Sequence, residues 1–169
     1  MRIAIYVGLG IGCLTGVWKL IEHYQDLEQT ALADYTGYVP LALLLMGITI
    51  GILIARSSIE YDGYITYKES IRLGLVVSLF AAMVIGVFVF IYHTWLHPAY
   101  ISELLQSVEE ELVAESLSPG EIDIRLEQTR KSSGAWMQVF IATSATMMVG
   151  MMYSFIVSVV LKRAPGSAA

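Results

Sequence analysis

Four stretches free of Lys, Arg, Asp and Glu organise the chain: Ile3 to Trp18, Tyr35 to Ala55, Leu73 to Ser102 and Ser132 to Leu161. A helix rises about 1.5 Å per residue and the hydrocarbon core of a bilayer is about 30 Å thick, so about 17–25 apolar residues cross it. The pattern predicts transmembrane helices over about 3–21, 38–55, 71–95 and 137–161. The first is the shortest and reaches full length only if Lys19 extends its charged end toward the headgroups.

The connections carry helix signals of their own. Arg56 to Ser70 contains Asp62-Gly63, a turn pair, and Thr66-x-x-Glu69, a capping box that places a helix start at Thr66. Between the third and fourth spans, Ile101, Leu104, Leu105, Val108 and Leu112 recur at helical spacing, with Glu103, Glu109, Glu110 and Glu115 on the other faces. Ser118-Pro119-Gly120-Glu121 then reads as a stop and restart, with Ser118 as N-cap and Glu121 completing a second capping box. The helix that follows, about Pro119 to Lys131, has a weaker apolar face made chiefly of Ile122 and Leu126. The expected fold is all-α: one polytopic membrane domain over 1–169, a four-helix transmembrane bundle with an extramembrane helical hairpin at about 99–132.

Within the spans, small residues recur four apart. These are Gly8, Gly12 and Gly16; Gly47, Gly51 and Ala55; Gly74, Ser78, Ala82 and Gly86; and Ala142, Thr146, Gly150, Ser154 and Ser158. Residues four apart share a helix face, and small ones let backbones approach where lipid gives no hydrophobic drive for association. The expectation is a seam on each helix, closed within one chain, with a second copy or another subunit as the alternative. Met137, Met147, Met148, Met151 and Met152 enrich the last span and read as gap-fillers in the packing.

Composition agrees with lipid as solvent, since 56% of the 169 residues are hydrophobic and 15% charged, against about 25% charged in soluble domains. Orientation follows from Lys and Arg. With the N-terminus inside, Arg2, Arg56, Lys68, Arg72, Lys162 and Arg163 lie on inner segments, and Lys19, Arg125, Arg130 and Lys131 on outer ones. That bias predicts N-in and C-in. A cleaved leader is not expected, because the small-residue triplet Ala31-Leu32-Ala33 lies beyond Glu22, Asp26 and Glu28. Cys13 is the single cysteine, reads as a small packing residue and excludes an intrachain disulfide.

Candidate chemistry is sparse. No ionisable residue sits near mid-span; Lys19, Arg72 and His93 fall toward span ends, which argues against a proton-coupled transporter. Thr49, Thr143, Ser144 and Thr146 can line a polar path, but such hydroxyls more often bond their own backbone or a neighbouring helix. His93 and His97, four apart, and His23 beside Glu22 and Asp26 form the one constellation with metal-ligand character. Pro98 pushes His97 out of helical geometry, and Tyr92 and Trp95 mark an interfacial belt where histidine is ordinary. No phosphate loop, Cys-x-x-Cys pair or nucleophile elbow occurs. The net charge of −5 and the lack of a basic patch exclude nucleic acid. No catalytic, cofactor-binding or metal residue is assigned, and whether His23, His93 and His97 converge is left to the structure.

The string Asp62-Gly63-Tyr64-Ile65-Thr66-Tyr67, leading to Arg72-Leu73-Gly74, resembles the "domain of unknown function 4199" family of bacterial membrane proteins. So do the acidic helix with its Leu117-Ser118-x-x-Glu121 restart and the final span ending in Lys162-Arg163. The resemblance covers roughly Tyr61 to Arg163, and loosely the first two spans. It implies a four-span bacterial inner-membrane protein and contributes no site residues. The favoured functional expectation is a non-enzymatic scaffold or accessory subunit, in contact with the lipid bilayer and with a membrane protein or a second copy. The alternative is a small oligomeric transporter or channel.

Overall fold

Apolar runs of this length form helices because a backbone without water must satisfy its own N–H and C=O groups. A computed structural model describes residues 1–25, 33–58 and 61–162. Asp26, Glu28, Ala31, Leu32 and Arg163, used above in the charge and leader arguments, lie outside those residues. The helices are α1 (Arg2–Tyr24), α2 (Ala33–Thr36), α3 (Tyr38–Arg56), α4 (Tyr67–Ile91), α5 (Tyr100–Ala114), α6 (Pro119–Ser132) and α7 (Ala135–Leu161). A π-helical turn, Tyr92–Leu96, extends α4. Four of these elements, Arg2–Tyr24, Tyr38–Arg56, Tyr67–Leu96 and Ala135–Leu161, are long and apolar enough to cross a membrane. The chain is all-helical with four candidate spans, as the pattern predicts. Contacts divide it into two units, Met1–Ile85 with Thr143–Ala169, and Gly86–Ala142.

In the first unit the small-residue faces receive neighbouring helices, and those of α4 and α7 receive each other. A Cβ on Gly8 would lie 2.5 Å from the Val77 carbonyl oxygen, and one on Gly12 would lie 2.6 Å from Val84 Cβ. Matching steps along both helices make α1 and α4 parallel. Gly47 receives Ile11 and Gly51 lies against Val7, so α1 and α3 are antiparallel. Gly74 receives Ser154 and Gly150 receives Ser78, which makes α4 and α7 antiparallel. Ile48, Ile52, Leu73, Val77 and Ala81 fill the centre. Gly8, Gly12, Gly16, Gly47, Gly51, Ala55, Gly74, Ser78, Ala82, Gly150, Ser154 and Ser158 are all buried, while Ala142 and Thr146 are half-buried.

Two sequence expectations change here. Met137, Met148, Met151 and Met152 are exposed and only Met147 is half-buried. The inner face of α7 holds Gly150 and Ser154 against α4, so the bulky thioethers are displaced to the opposite side. Cys13 is also exposed. It follows Gly12, and the seam directs that glycine inward and its neighbour away.

Local signals shape the ends. Asp62 and Gly63 both take left-handed backbone, φ 46° and 80°, which Asp tolerates and Gly adopts freely. Thr66 caps α4: its N–H and hydroxyl donate to Glu69 Oε2 at 2.9 and 2.7 Å, and the Glu69 N–H donates to Thr66 Oγ1 at 3.3 Å. At the end of α7, Arg56 Nη1 donates to the Leu161 carbonyl at 3.3 Å. That supplies a donor and a positive charge to an otherwise unsatisfied carbonyl end.

The hairpin of the second unit is built differently. In α5 the predicted stripe, Ile101, Leu104, Leu105, Val108 and Leu112, is half-buried, as are Ile122 and Leu126 of α6; the glutamates between them are exposed. Ser116 follows α5 with φ 59°. The Ser116 N–H donates to the Val113 carbonyl at 3.0 Å and the Leu117 N–H to the Leu112 carbonyl at 3.3 Å, the bond pattern of a Schellman stop. Ser118, on extended backbone, then opens α6 with a capping box. Its N–H and hydroxyl donate to Glu121 Oε2 at 3.1 and 2.6 Å.

Candidate functional site

Polar groups inside the four long helices come first, because lipid makes an unsatisfied one expensive. Thr49, Ser78 and Ser154 donate to carbonyls one turn back, Leu45 at 2.8 Å, Gly74 at 2.8 Å and Gly150 at 2.6 Å. These hydroxyls serve their own helices. Thr143 and Ser144 are half-buried, as is Thr146, which together with Thr15 lines a small cavity of about 90 Å³ whose other walls include Ile11, Leu44 and Val149. That lining is almost wholly apolar.

One buried charge was not legible from the sequence. Glu22 follows the predicted first span, yet it lies within α1 and is only 6% exposed. Its Oε2 accepts from Lys19 Nζ at 2.8 Å, and Thr36 of α2 adds a side-chain hydrogen bond. Burial of a carboxylate is tolerable when charge and hydrogen bonds compensate it. Lys19-x-x-Glu22 was the available signal, but the Thr36 contact needs α2, which the pattern did not predict.

The histidines divide between the units. His23 belongs to the first, where its ring meets Tyr24 edge-on at 5.7 Å between centroids. His93 and His97 belong to the second, at the end of α4. The His97 N–H donates five residues back, to the Tyr92 carbonyl at 2.8 Å, closing the π-turn. His97 itself leaves helical backbone at φ −132°, ψ 61°, as Pro98 requires. Both rings pack on Tyr100, at 4.6 Å for His93 and 5.9 Å for His97. His97 Nε2 lies 3.1 Å from Glu103 Oε2. Among the described residues, no three His, Cys, Asp or Glu side chains are grouped to hold a metal ion. Asp26, the carboxylate paired with His23 in the sequence argument, lies outside them.

The hairpin adds an open cleft of about 560 Å³, lined by Leu105 of α5 and by Leu126, Glu127, Arg130 and Lys131 of α6. Lys131 Nζ is 2.8 Å from Glu127 Oε1, one turn back. The hydrogen bonds from Ser118, its hydroxyl foremost, hold the Glu121 carboxyl below the usual carboxylate range at the other end of the helix. Sequence spacing gave the apolar stripe and the basic pair separately; the cleft exists only once α5 and α6 lie together.

No curated protein and no solved structure matches the chain. Residues 6–163 match the family described as "Protein of unknown function (DUF4199)". That match runs from the first apolar helix, across the hairpin and past the end of α7, and so the chain belongs to this family.

Proposed function

We propose that the protein is a non-enzymatic scaffold or accessory subunit of the bacterial inner membrane, with both termini cytoplasmic. The observation that carries this reading is the close packing of the small-residue faces against neighbouring helices of the same chain. Their close approach makes a tightly packed helical body, and a cavity between the described helices is small and apolar. The lipid-exposed faces and the acidic hairpin are then the surfaces available to a partner. Orientation rests on the distribution of Lys and Arg. Cysteines placed at Ser57 and Ser107 in a Cys13→Ser background test it with a membrane-impermeant thiol reagent on intact cells. Only the Ser107 position labels if the termini are inside; labelling at Ser57 alone reverses the assignment.

Crosslinking in native membranes, followed by purification in mild detergent and mass measurement, tests the role. A stoichiometric foreign membrane protein supports the accessory reading. A closed homo-oligomer favours a transporter or channel instead, and a bare monomer removes both.

A further inference from the structure

We propose that the cleft between α5 and α6 binds an anionic glycerophospholipid of the surrounding membrane, with Arg130 on the phosphate and Leu105 and Leu126 under the glycerol and first acyl carbons. The inference rests on reading the chain as a multi-pass membrane protein. A volume of about 560 Å³ falls within the usual range for small-molecule clefts, about 300–1,000 Å³. The charges of the lining select the ligand. Lys131 is paired with Glu127 at 2.8 Å, while the Arg130 guanidinium has no ion pair or hydrogen bond among the described residues. The cleft thus offers one uncompensated cation above an apolar floor. A guanidinium presents a planar fork that matches two phosphate oxygens.

Position specifies the source. Arg130 precedes by five residues Ala135, where the 27-residue apolar helix α7 begins, and even an extended chain covers no more than about 18 Å in that distance. Trp136, 75% exposed, stands at the same boundary with its ring 4.9 Å from Phe90, as indoles do at headgroup level. The residues from Tyr100 to Ser132 carry eight acids against three bases, so the field around the hairpin repels soluble anions. None of the α5 glutamates lines the cleft. A lipid arrives laterally and brings apolar surface with its charge, which a free phosphate lacks. The position of Arg130 in the last turn of α6 also offsets the carbonyl end of that helix, but that role needs no apolar floor.

The test uses the full chain in phosphatidylcholine vesicles with and without phosphatidylglycerol, and native mass spectrometry from detergent containing each lipid. Wild type is expected to retain one phosphatidylglycerol per chain in preference to phosphatidylcholine. Arg130→Gln is expected to weaken retention about tenfold, the scale of one charge-assisted hydrogen bond. Arg125→Gln, outside the cleft, should leave retention unchanged, and hydrogen exchange over residues 100–132 verifies that both variants keep the hairpin. Equal retention of the two lipids, wild-type retention by Arg130→Gln, an equal loss in Arg125→Gln, or displacement by inorganic phosphate overturns the proposal. A chain that inserts but shows no lipid preference removes the site alone; a chain that inserts in neither vesicle removes the membrane reading with it.

Discussion

The contacts among α1, α3, α4 and α7 and the contacts between α5 and α6 obey opposite rules for what lies inside. In α5, apolar residues turn toward α6 and charged ones away, the ordinary amphipathic arrangement, and no residue of either helix is fully buried. In α7 no residue is charged, so charge cannot sort the faces. Size does it instead: Gly150, Ser154 and Ser158 are buried while Met148, Met152 and Val160 are exposed. The inner face of α7 is more polar than its outer face. Where the solvent is hydrocarbon, close backbone approach decides burial, and a small hydroxyl such as that of Ser154, which bonds its own helix, costs little there.

The comparison can be broken by changing size in one region and end chemistry in the other. Gly12→Leu should have the largest effect, because Val84 and the Ala81 carbonyl crowd the site; overpacking of this kind costs about 1–3 kcal/mol. Thermal stability in detergent measures it, and a melting point equal to wild type would mean that α1 and α4 are not in contact. Ser118→Ala removes the α6 cap and should cost about 1 kcal/mol, within the usual 0.5–2, read as faster hydrogen exchange from Glu121 to Gln128. Ser116→Gly should act in the other direction. Its left-handed backbone suits glycine, and the gain should be about 1 kcal/mol with slower exchange near Leu117.

A smaller effect follows from pH. Glu121 has a folded pKa below its ordinary value, so its stabilisation of α6 is present above the carboxylate range and is lost as pH falls through the folded pKa. Exchange protection of α6, corrected for intrinsic rates, should therefore drop on acidification in wild type and stay level in Glu121→Gln. Smallest of all should be Gly10→Leu. Nothing lies within 4 Å of its missing Cβ, so stability should stay within about 0.5 kcal/mol of wild type. A large loss there would show a helix against the open face of α1.

Much of this was legible in the chain because the signals are local. Thr66-x-x-Glu69 and Ser118-x-x-Glu121 close as capping boxes, and the stripe from Ile101 to Leu112 turns inward as its spacing requires. The small-residue rows predicted which faces pack, but not which row meets which. The pairings of Gly74 with Ser154 and of Gly8 with Val77 depend on tertiary register. Burial of Glu22 has no local signal because its Thr36 partner sits on a short helix without a periodic signature. The methionines were misread for a related reason: composition gives their number, and only the register of α7 against α4 gives their side.

The bond from Arg56 to the Leu161 carbonyl joins residues 105 apart, and this bears on the order of biogenesis. During synthesis the chain emerges from its N-terminus, so α1, α3 and most of α4 are made while the acceptor for Arg56 does not yet exist. All of Gly86–Ala142, a unit in its own right, must be made before Thr143 begins the segment that completes the first. Until then the faces of Gly74 and Ser78 lack their partners, and the nascent protein carries an uncovered seam. The half-made protein is therefore the form most open to mispairing with other helices, and shortening the delay between α4 and α7 is a matter of hairpin length.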